Sequence, residues 1–310
     1  MKISELRHEI ARLKKEKNAL IMAHYYQRDE IQEIADFIGD SLALARKAAE
    51  TDADIIVMCG VHFMGETAKI LCPDKKVLVP DLNAGCSLAD SCDPSEFEEF
   101  VKAHPDHTVI SYVNTSAAVK ALTDIVVTSG NARKIVESLP ADEKIIFGPD
   151  KNLGGYINSV TGRDMLLWPG ACHVHDRFSL EKIQQMKRLH PGAKILVHPE
   201  CRRPLQLIAD KVGSTAALLD YARRDDAREY IVVTESGILF EMRRECPEKT
   251  FLAAPAEDSE CQCNECDFMK LNTLEKVAAA LRDESPEINV DPEIAARAFK
   301  PIERMLQLSV

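Results

Sequence analysis

The chain has 310 residues, of which 45% are hydrophobic and 29% are charged, a composition typical of an ordinary globular protein. Its 39 basic and 50 acidic side chains give a net charge of −11, which disfavours nucleic-acid or anionic-membrane partners but not a small anionic substrate. The N-terminus lacks an apolar signal region and no apolar run approaches the roughly 18 residues of a membrane span, so we expect a cytoplasmic protein.

The chain begins with a predicted helix followed by a buried strand. Apolar residues recur at helical spacing over residues 3–18, and a short apolar run over residues 18–23 predicts the strand. The strand leads into His24 and Tyr26, which are two residues apart and point the same way in an extended chain. A helical pattern follows, and a second helix is predicted to open at Asp40–Ser41.

The stretch over residues 21–41 has two later counterparts in the chain. The step from His24 to Tyr112 is 88 residues and the step from Tyr112 to His198 is 86, and the same two steps separate Ser41 from Ser129 and Thr215. A period near 87 is too long for a solenoid and fits duplicated small domains. Duplication alone requires only apolar residues to recur, so the recurring polar residues predict that the three domains face a common centre.

Each repeat alternates strands with helices, which predicts an α/β fold of three similar αβα domains with parallel sheets, in a pseudo-threefold arrangement around a central site. Ligands of such sheets bind outside the carboxyl ends of the strands, where the repeated polar residues fall. The predicted units are residues 1–104 with the N-terminal helix, residues 105–190, residues 191–271 and the C-terminal helices of residues 272–310.

The repeated hydroxyl residues Ser41, Ser129 and Thr215 are predicted at helix starts. Helix N-termini bind anions through unpaired backbone N–H groups, so three of them around one centre suit a ligand with three anionic groups. Ordinary N-capping is the alternative for each residue taken singly.

Two further sets of polar residues follow the first strand of each repeat. The second set combines a phenol, an amide and a carboxylate, so it offers proton-transfer and hydrogen-bonding groups together. Its carboxylate is the candidate general base, although a lone Glu after a strand is also commonly a solvated side chain. The first set is His24, Tyr112 and His198, and the second is Tyr26, Asn114 and Glu200.

The ten cysteines of a cytoplasmic protein should be thiols, so the functional ones are metal ligands or redox groups. Cys86, Cys172 and one of the trio Cys261, Cys263 and Cys266 lie in loops at equivalent ends of the repeats. Three thiolates can hold a 4Fe-4S cluster with one iron free of protein ligands, and such an iron can act as a Lewis acid. Zinc is the alternative, since the segments CHVH and CQCNEC could also supply its ligands.

The ordered motifs resemble the quinolinate synthase family of de novo NAD biosynthesis over nearly the whole chain. They are AHYYQ, IADFIGDSL, GVHFMGE, PDKKVLVPD, the Cys86 loop, SYVNTS, TSGN, FGPDKNLG, the CHVH loop, VHPEC, VGST and the final cysteine before FMKLNTLE. The resemblance implies three similar α/β domains around a central site and an oxygen-sensitive 4Fe-4S cluster.

By this resemblance the cluster ligands are Cys86, Cys172 and Cys266, the last because it stands six residues before Asn272. The chain departs from the family pattern in its C-x-C-x-x-C arrangement, where relatives have a single cysteine or C-x-x-C-x-x-C. Whether Cys261 and Cys263 form a redox-sensitive pair is therefore left open.

The resemblance also implies a reaction and a substrate site. The family condenses iminoaspartate with dihydroxyacetone phosphate to quinolinate, phosphate and water, and an aspartate oxidase or dehydrogenase that supplies the imine is an expected transient partner. Tyr26, His198 and Glu200 are implied as catalytic residues. The implied substrate-binding residues are His24, Ser41, Tyr112, Asn114, Ser129, His198, Glu200 and Thr215.

Two other functions remain as alternatives. Another three-domain iron-sulfur enzyme, such as the radical enzyme of diphthamide synthesis, also gathers one cysteine per domain. A non-catalytic metal or redox sensor using CQCNEC is the second alternative, although it leaves the repeated polar residues without a purpose.

Overall fold

The computed structural model describes residues 3–257 and 264–309, and this part of the chain is an α/β protein with three parallel sheets. Each sheet has four strands taken from one repeat, and in each the strand order is second, first, third, fourth. The predicted fold of three similar α/β units with parallel sheets is therefore confirmed.

The elements follow one another in the same order in the three repeats. The first repeat contains α1 (Ile3–Glu16), β1 (Ala19–His24), α2 (Asp29–Ile34), β2 (Phe37–Gly39), α3 (Ser41–Glu50), β3 (Ile55–Cys59), α4 (His62–Leu71), β4 (Lys76–Leu78), α5 (Ser87–Asp90) and α6 (Pro94–Lys102). The second contains β5 (Thr108–Tyr112), α7 (Ala117–Lys120), β6 (Ile125–Val127), α8 (Ala132–Ser138), β7 (Ile145–Gly148), α9 (Lys151–Thr161), β8 (Leu166–Leu167), α10 (His173–Asp176) and α11 (Leu180–Leu189). The third contains β9 (Lys194–Val197), α12 (Arg203–Leu207), β10 (Lys211–Val212), α13 (Thr215–Arg224), β11 (Glu229–Val233), α14 (Ile238–Glu245) and β12 (Thr250–Ala253), and a short 3-10 turn, α15 (Leu274–Asp283) and α16 (Pro292–Leu308) complete the chain.

The central strands are apolar on both faces because helices cover both sides of each sheet. Every residue of β3 and of β7 is buried. One covering helix precedes the first strand of each sheet: α1 packs on the first sheet, Phe97 of α6 on the second and Ile183 of α11 on the third. The helices α6 and α11, which end the first and second repeats as divided above, thus pack in the cores of the repeats that follow them. The domain boundaries themselves stay a prediction.

The second strand of each sheet is absent from the sequence-based prediction. These strands are β2, β6 and β10, and they contain only two or three residues each. Runs as short as FIG, IVV and KV merge with the neighbouring helical patterns, because periodicity cannot separate so few apolar residues from a helix. Their hydrogen bonds to the first strand of each sheet are tertiary contacts.

The C-terminal helices pack against the body of the protein, as predicted. In α15, Val277 and Leu281 join the core that contains Leu6 and Ile10 of α1. The apolar face of α16, including Ile302, joins the large core shared by the first two repeats. None of the helices formed by the described residues combines the length and the apolar composition that a bilayer crossing requires.

The first and third repeats approach each other closely at Gly237, the residue before α14. The buried amide of Gln32 donates to the carbonyl oxygens of Tyr25 at 3.2 Å and of Gly237 at 2.9 Å. A Cβ atom on Gly237 would lie 2.8 Å from the carbonyl oxygen of Tyr25 and 2.8 Å from the carbonyl carbon of Tyr26. Glycine is needed here for space, since its backbone is in the ordinary helical region.

We expect Gly237→Ala to destabilise the protein by about 1–3 kcal/mol, because overpacking against backbone atoms cannot be relieved by a side-chain rotation. Urea unfolding measures the change in the free energy of unfolding. Gly155→Ala is the matched control: this position lies within α9, and a Cβ added there would have no heavy atom within 4 Å, so the same substitution should stabilise by about 0.5–1 kcal/mol. Equal effects at the two positions would contradict the steric explanation.

Candidate active site

A cavity lies where the carboxyl ends of the strands of all three sheets meet. Residues of the first, second and third repeats line it together, which is the common centre that the repeated polar residues predicted. Every predicted site residue lines this cavity: His24, Tyr26, Ser41, Cys86, Tyr112, Asn114, Ser129, Cys172, His198, Glu200, Thr215 and Cys266. Their chemical roles remain predictions.

The first set of polar residues stands at the ends of the first strands. His24 is the last residue of β1, Tyr112 is the last residue of β5, and His198 directly follows β9. All three are buried, and burial lowers the pKa of His24 and of His198 to about 3. Both imidazoles are therefore neutral near pH 7 and act as hydrogen-bonding groups rather than cations.

Tyr26 lies in the turn beyond β1, and its ring stands edge-on to that of His24 with centroids 4.5 Å apart. The strand ends at His24, so the two rings meet through a turn and not along the extended chain that the sequence predicted. The phenol oxygen is 2.8 Å from the hydroxyl of Thr215 and 2.7 Å from that of Thr234. Burial raises the pKa of Tyr26 well above its ordinary value, so the phenol is protonated.

Glu200 is buried and hydrogen-bonded to groups of the second repeat. Nδ1 of His175 lies 2.8 Å from a carboxylate oxygen of Glu200, and the Tyr112 hydroxyl also bonds to this carboxylate. Burial by itself raises the pKa of Glu200, but the interaction with His175 and the hydrogen bonds from His175 and Tyr112 outweigh burial and hold the pKa below its ordinary value. Glu200 is therefore ionised.

A chain of hydrogen bonds connects Tyr26 and Glu200, two of the three predicted catalytic residues. Because an ionised carboxylate only accepts, Nδ1 of His175 donates to Glu200. Nε2 of His175 is 2.9 Å from the hydroxyl of Thr234, which in turn is 2.7 Å from the phenol oxygen of Tyr26. Tyr26 and Glu200 are thus linked through Thr234 and His175.

The predicted helix starts are confirmed at Ser41 and Thr215 and wrong at Ser129, and none of the three residues is the N-cap. The N-cap side chains that accept backbone N–H groups are Asp40 for α3 and Ser214 for α13, so Ser41 and Thr215 are the first helical residues. Ser129 lies in a turn before α8, whose N-cap is Asn131. A Ser or Thr beside a second capping residue cannot be placed from sequence, because the backbone dihedrals decide which of the two precedes the first turn.

Among the eight cysteines described, only Cys86, Cys172 and Cys266 are not fully buried, and all three border the cavity. The other five are packed in the cores, and every described cysteine is free of disulfides. Burial raises the pKa of Cys86 to about 12 and that of Cys266 to about 11. The predictions concerning Cys261 and Cys263 fall outside the described residues.

A backbone hydrogen bond repeated in all three units shows that the three cysteine segments are equivalent. In each unit, an N–H group that follows the third strand by three residues donates to the carbonyl oxygen two residues before the cysteine. The bonds run from His62 to Ala84 (2.7 Å), from Lys151 to Gly170 (2.9 Å) and from Ser236 to Asn264 (3.2 Å). Cys266 is thereby the positional counterpart of Cys86 and Cys172.

Sequence reasoning missed two groups of the cavity wall. In the sequence, His175 is recognisable only as a candidate zinc ligand. It contacts Glu200 and Thr234, which belong to the third repeat, whereas His175 belongs to the second. Glu235 is fully buried two residues beyond β11, and burial raises its pKa to about 7 although Lys270, 3.0 Å away, opposes the rise. The position of Glu235 shortly after an apolar strand is a signal that could have identified it from the sequence, and Asp150 has the same position after β7.

One group of side chains in the described chain could hold a metal ion, namely Cys172, His175 and Glu200, whose donor atoms lie within 4.8 Å of one another. Nδ1 of His175 faces both Cys172, at 3.3 Å, and Glu200, at 2.8 Å. These distances are those of hydrogen bonds, so a metal ion bound by Nδ1 of His175 would replace the proton on that nitrogen.

Comparison with known proteins identifies the family. The family model described as "Quinolinate synthetase A protein" matches residues 8–307. The quinolinate synthase of Chloroherpeton thalassium is 55% identical over 305 residues, covering 98% of this chain and 95% of the relative. That of Synechococcus sp. is 56% identical over 300 residues, covering 97% and 94%. The chain belongs to the quinolinate synthase family of enzymes.

Proposed function

We propose that this enzyme condenses iminoaspartate with dihydroxyacetone phosphate to form quinolinate, releasing one phosphate and two waters. The carbon skeleton balances, since a four-carbon imine and a three-carbon phosphate ester give the seven carbons of quinolinate. The observation that carries the proposal is the meeting, in one cavity, of an ionised carboxylate, a protonated phenol and three thiols from different repeats.

Anion binding in this cavity would depend on backbone and neutral donors. The lining residues include no Lys or Arg within the described ranges, and the imidazoles of His24 and His198 are neutral. The ten-residue helices α3 and α13 begin at the cavity with Ser41 and Thr215, whose N–H groups lie in the first helical turn. Two carboxylates and a phosphate match such donors, and Ser129 would contribute its hydroxyl.

Two unpaired polar atoms in the cavity wall support a polar ligand. The side-chain oxygens of Asn114 and Thr128 are buried and have no hydrogen-bond partner among the described residues. Buried polar groups of this kind are ordinarily satisfied, so a ligand that supplies hydrogen bonds here is expected. Hydroxyl and imine groups of the two substrates have the required chemistry.

Glu200 and Tyr26 would carry out the proton transfers. Glu200, being ionised, accepts a proton from the carbon next to a carbonyl during isomerisation, and Tyr26, being protonated, donates to the leaving or carbonyl oxygen. The hydrogen-bond chain through Thr234 and His175 fixes the positions of these two side chains relative to each other. His198, stacked on His175 with ring centroids 4.5 Å apart, holds that imidazole in place and presents a neutral donor to the substrate.

Cys86, Cys172 and Cys266 would hold a 4Fe-4S cluster. The donor set fits, because the structure exposes one thiol of each repeat to the same cavity and leaves no fourth cysteine there among the described residues. A cluster with one iron free of protein ligands supplies Lewis acidity toward a hydroxyl or carboxylate of the substrate. The CHVH zinc alternative is less favoured, since it leaves Cys86, which borders the same cavity, without a role.

The unstable imine requires a supplier. Iminoaspartate hydrolyses in water, so an enzyme that oxidises aspartate, an oxidase or a dehydrogenase, is the proposed transient partner. This part of the proposal is supported by the chemistry of the substrate alone.

Protein purified without oxygen should contain about four irons and four acid-labile sulfides per chain. Cys86→Ala, Cys172→Ala and Cys266→Ala should each lose most of this iron, whereas Cys246→Ala, at a buried core position, should keep it. Metal analysis and the absorption spectrum measure both results. Zinc without sulfide after anaerobic reconstitution would rule out the cluster and favour the sensor alternative.

Glu200→Gln should lower kcat at least about 100-fold with the iron content unchanged, because the amide cannot accept a proton. Quinolinate formation from the two substrates, without S-adenosylmethionine, is the assay, and it also distinguishes this reaction from that of a radical enzyme. Glu241→Gln, which replaces another buried carboxylate of the third repeat, is the control and should keep its activity. Near-normal turnover of Glu200→Gln with an intact cluster would remove the role of Glu200 as base.

A further inference from the structure

Asp150 and Glu235 occupy the same place in two different repeats. Each follows the third strand of its sheet by two residues, and each is fully buried. The backbone hydrogen bond described above begins at the next residue in both cases, at Lys151 and at Ser236. The equivalence therefore rests on the strand, on the spacing and on the backbone pairing.

Both carboxylates accept the backbone N–H group of the cysteine in their own repeat. Cys172 donates to Asp150 at 3.2 Å, and Cys266 donates to Glu235 at 3.1 Å. The other oxygen of each carboxylate accepts a second N–H group, from Leu153 at 2.7 Å for Asp150 and from Gly237 at 2.7 Å for Glu235. Each carboxylate thus ties the cysteine segment to the start of the helix that follows the strand.

The first repeat has no such carboxylate. Its equivalent residue is Val61, an apolar side chain that is also buried at the cavity. The Cys86 segment is joined to this position through the backbone bond from His62 to Ala84. A general need of the fold would have placed the same residue type in all three repeats, so the carboxylates answer a need specific to the second and third cysteine segments.

Glu235 has a further partner outside its cysteine segment. The ammonium of Lys270 lies 3.0 Å from this carboxylate and also donates to the carbonyl oxygen of Tyr26 at 2.8 Å. The bonds to the backbone N–H groups of the cysteine segment and of the following helix are therefore what Asp150 and Glu235 have in common.

We infer that Asp150 and Glu235 are positioning residues for the metal centre, which fix the backbone of Cys172 and Cys266 so that both thiols face the centre shared with Cys86. The inference rests on the proposed role of these cysteines as metal ligands. Neither carboxylate needs to touch substrate or metal for this role. Hydrogen-bonding partners behind metal ligands commonly change metal affinity by about 10- to 100-fold.

Asp150→Asn and Glu235→Gln test the inference, because an amide has the same shape but only one acceptor oxygen for the two N–H groups. The variants and the unchanged protein are reconstituted with iron and sulfide without oxygen, and iron release to a chelator is then followed over time. Iron should leave each variant about tenfold faster or more, and the EPR spectrum of the reduced cluster should shift. Glu241→Gln, a buried carboxylate that pairs with Arg244 at 2.6 Å, should release iron as slowly as the unchanged protein.

Thermal unfolding of the metal-free variants distinguishes positioning from folding. A variant that unfolds cooperatively near the temperature of the unchanged protein, yet loses iron faster, supports the inference. If an amide variant does not fold, Asp150→Glu or Glu235→Asp is used in its place. These substitutions keep both acceptor oxygens but change the length of the side chain, so iron should be released at an intermediate rate. Unchanged release and an unchanged EPR spectrum at both positions would overturn the inference.

The proposed cluster and this inference fail in different ways. If the unchanged protein contains no iron and no sulfide, the proposed cluster is wrong, and this result does not bear on the positioning role. If that protein instead holds zinc, the same chelator assay on zinc release still compares variant with unchanged protein, and equal rates overturn the positioning role.

Discussion

A buried hydrogen bond from His175 to Glu200, 2.8 Å long, is the interaction on which the centre of this protein depends. A carboxylate with 2% exposure remains charged only if other groups replace its hydration. Here those groups are His175 and Tyr112 of the second repeat. The charge of Glu200 is therefore a property of the assembled repeats, since the groups that stabilise it belong to a different repeat from its own.

The same requirement explains why the polar residues converge. Parallel strands direct their carboxyl ends, and the residues that follow them, to one edge of each sheet. The three sheets bring these edges together, so Tyr26 of the first repeat reaches Thr215 and Thr234 of the third. Gly237 permits this approach, because a larger residue would meet the backbone of Tyr25 and Tyr26.

The three repeats share a framework and differ in the side chains they present. The equivalent strand ends carry His24, Tyr112 and His198, and the equivalent positions after the third strands carry Val61, Asp150 and Glu235. A symmetric frame with asymmetric groups suits an asymmetric reaction, in which two different substrates must be bound and protonated at different atoms. Each repeat also presents one cysteine to the cavity.

Much of this organisation could be predicted from the sequence, because repeated offsets and apolar runs are local signals. The spacing of His24, Tyr112 and His198 predicts the three-unit α/β fold and the polar residues that line one cavity. The short strands β2, β6 and β10 could not be predicted, since pairing with a neighbouring strand is what makes two or three residues a strand. The exact capping residue has a related limit: whether Asp40 or Ser41 precedes the first turn depends on backbone dihedrals.

Local patterns in the sequence specify the repeat, the class of fold and the residue types available for chemistry. Which of these residues act on one another depends on the tertiary structure. The contact of His175 with Glu200 and Thr234, the ion pair of Glu235 with Lys270, and the hydrogen bonds of Asp150 and Glu235 to the cysteine segments all join residues far apart in the chain. Protonation states also depend on the tertiary structure, because the pKa of a buried group is set by burial and by neighbours that the order of residues in the chain does not reveal.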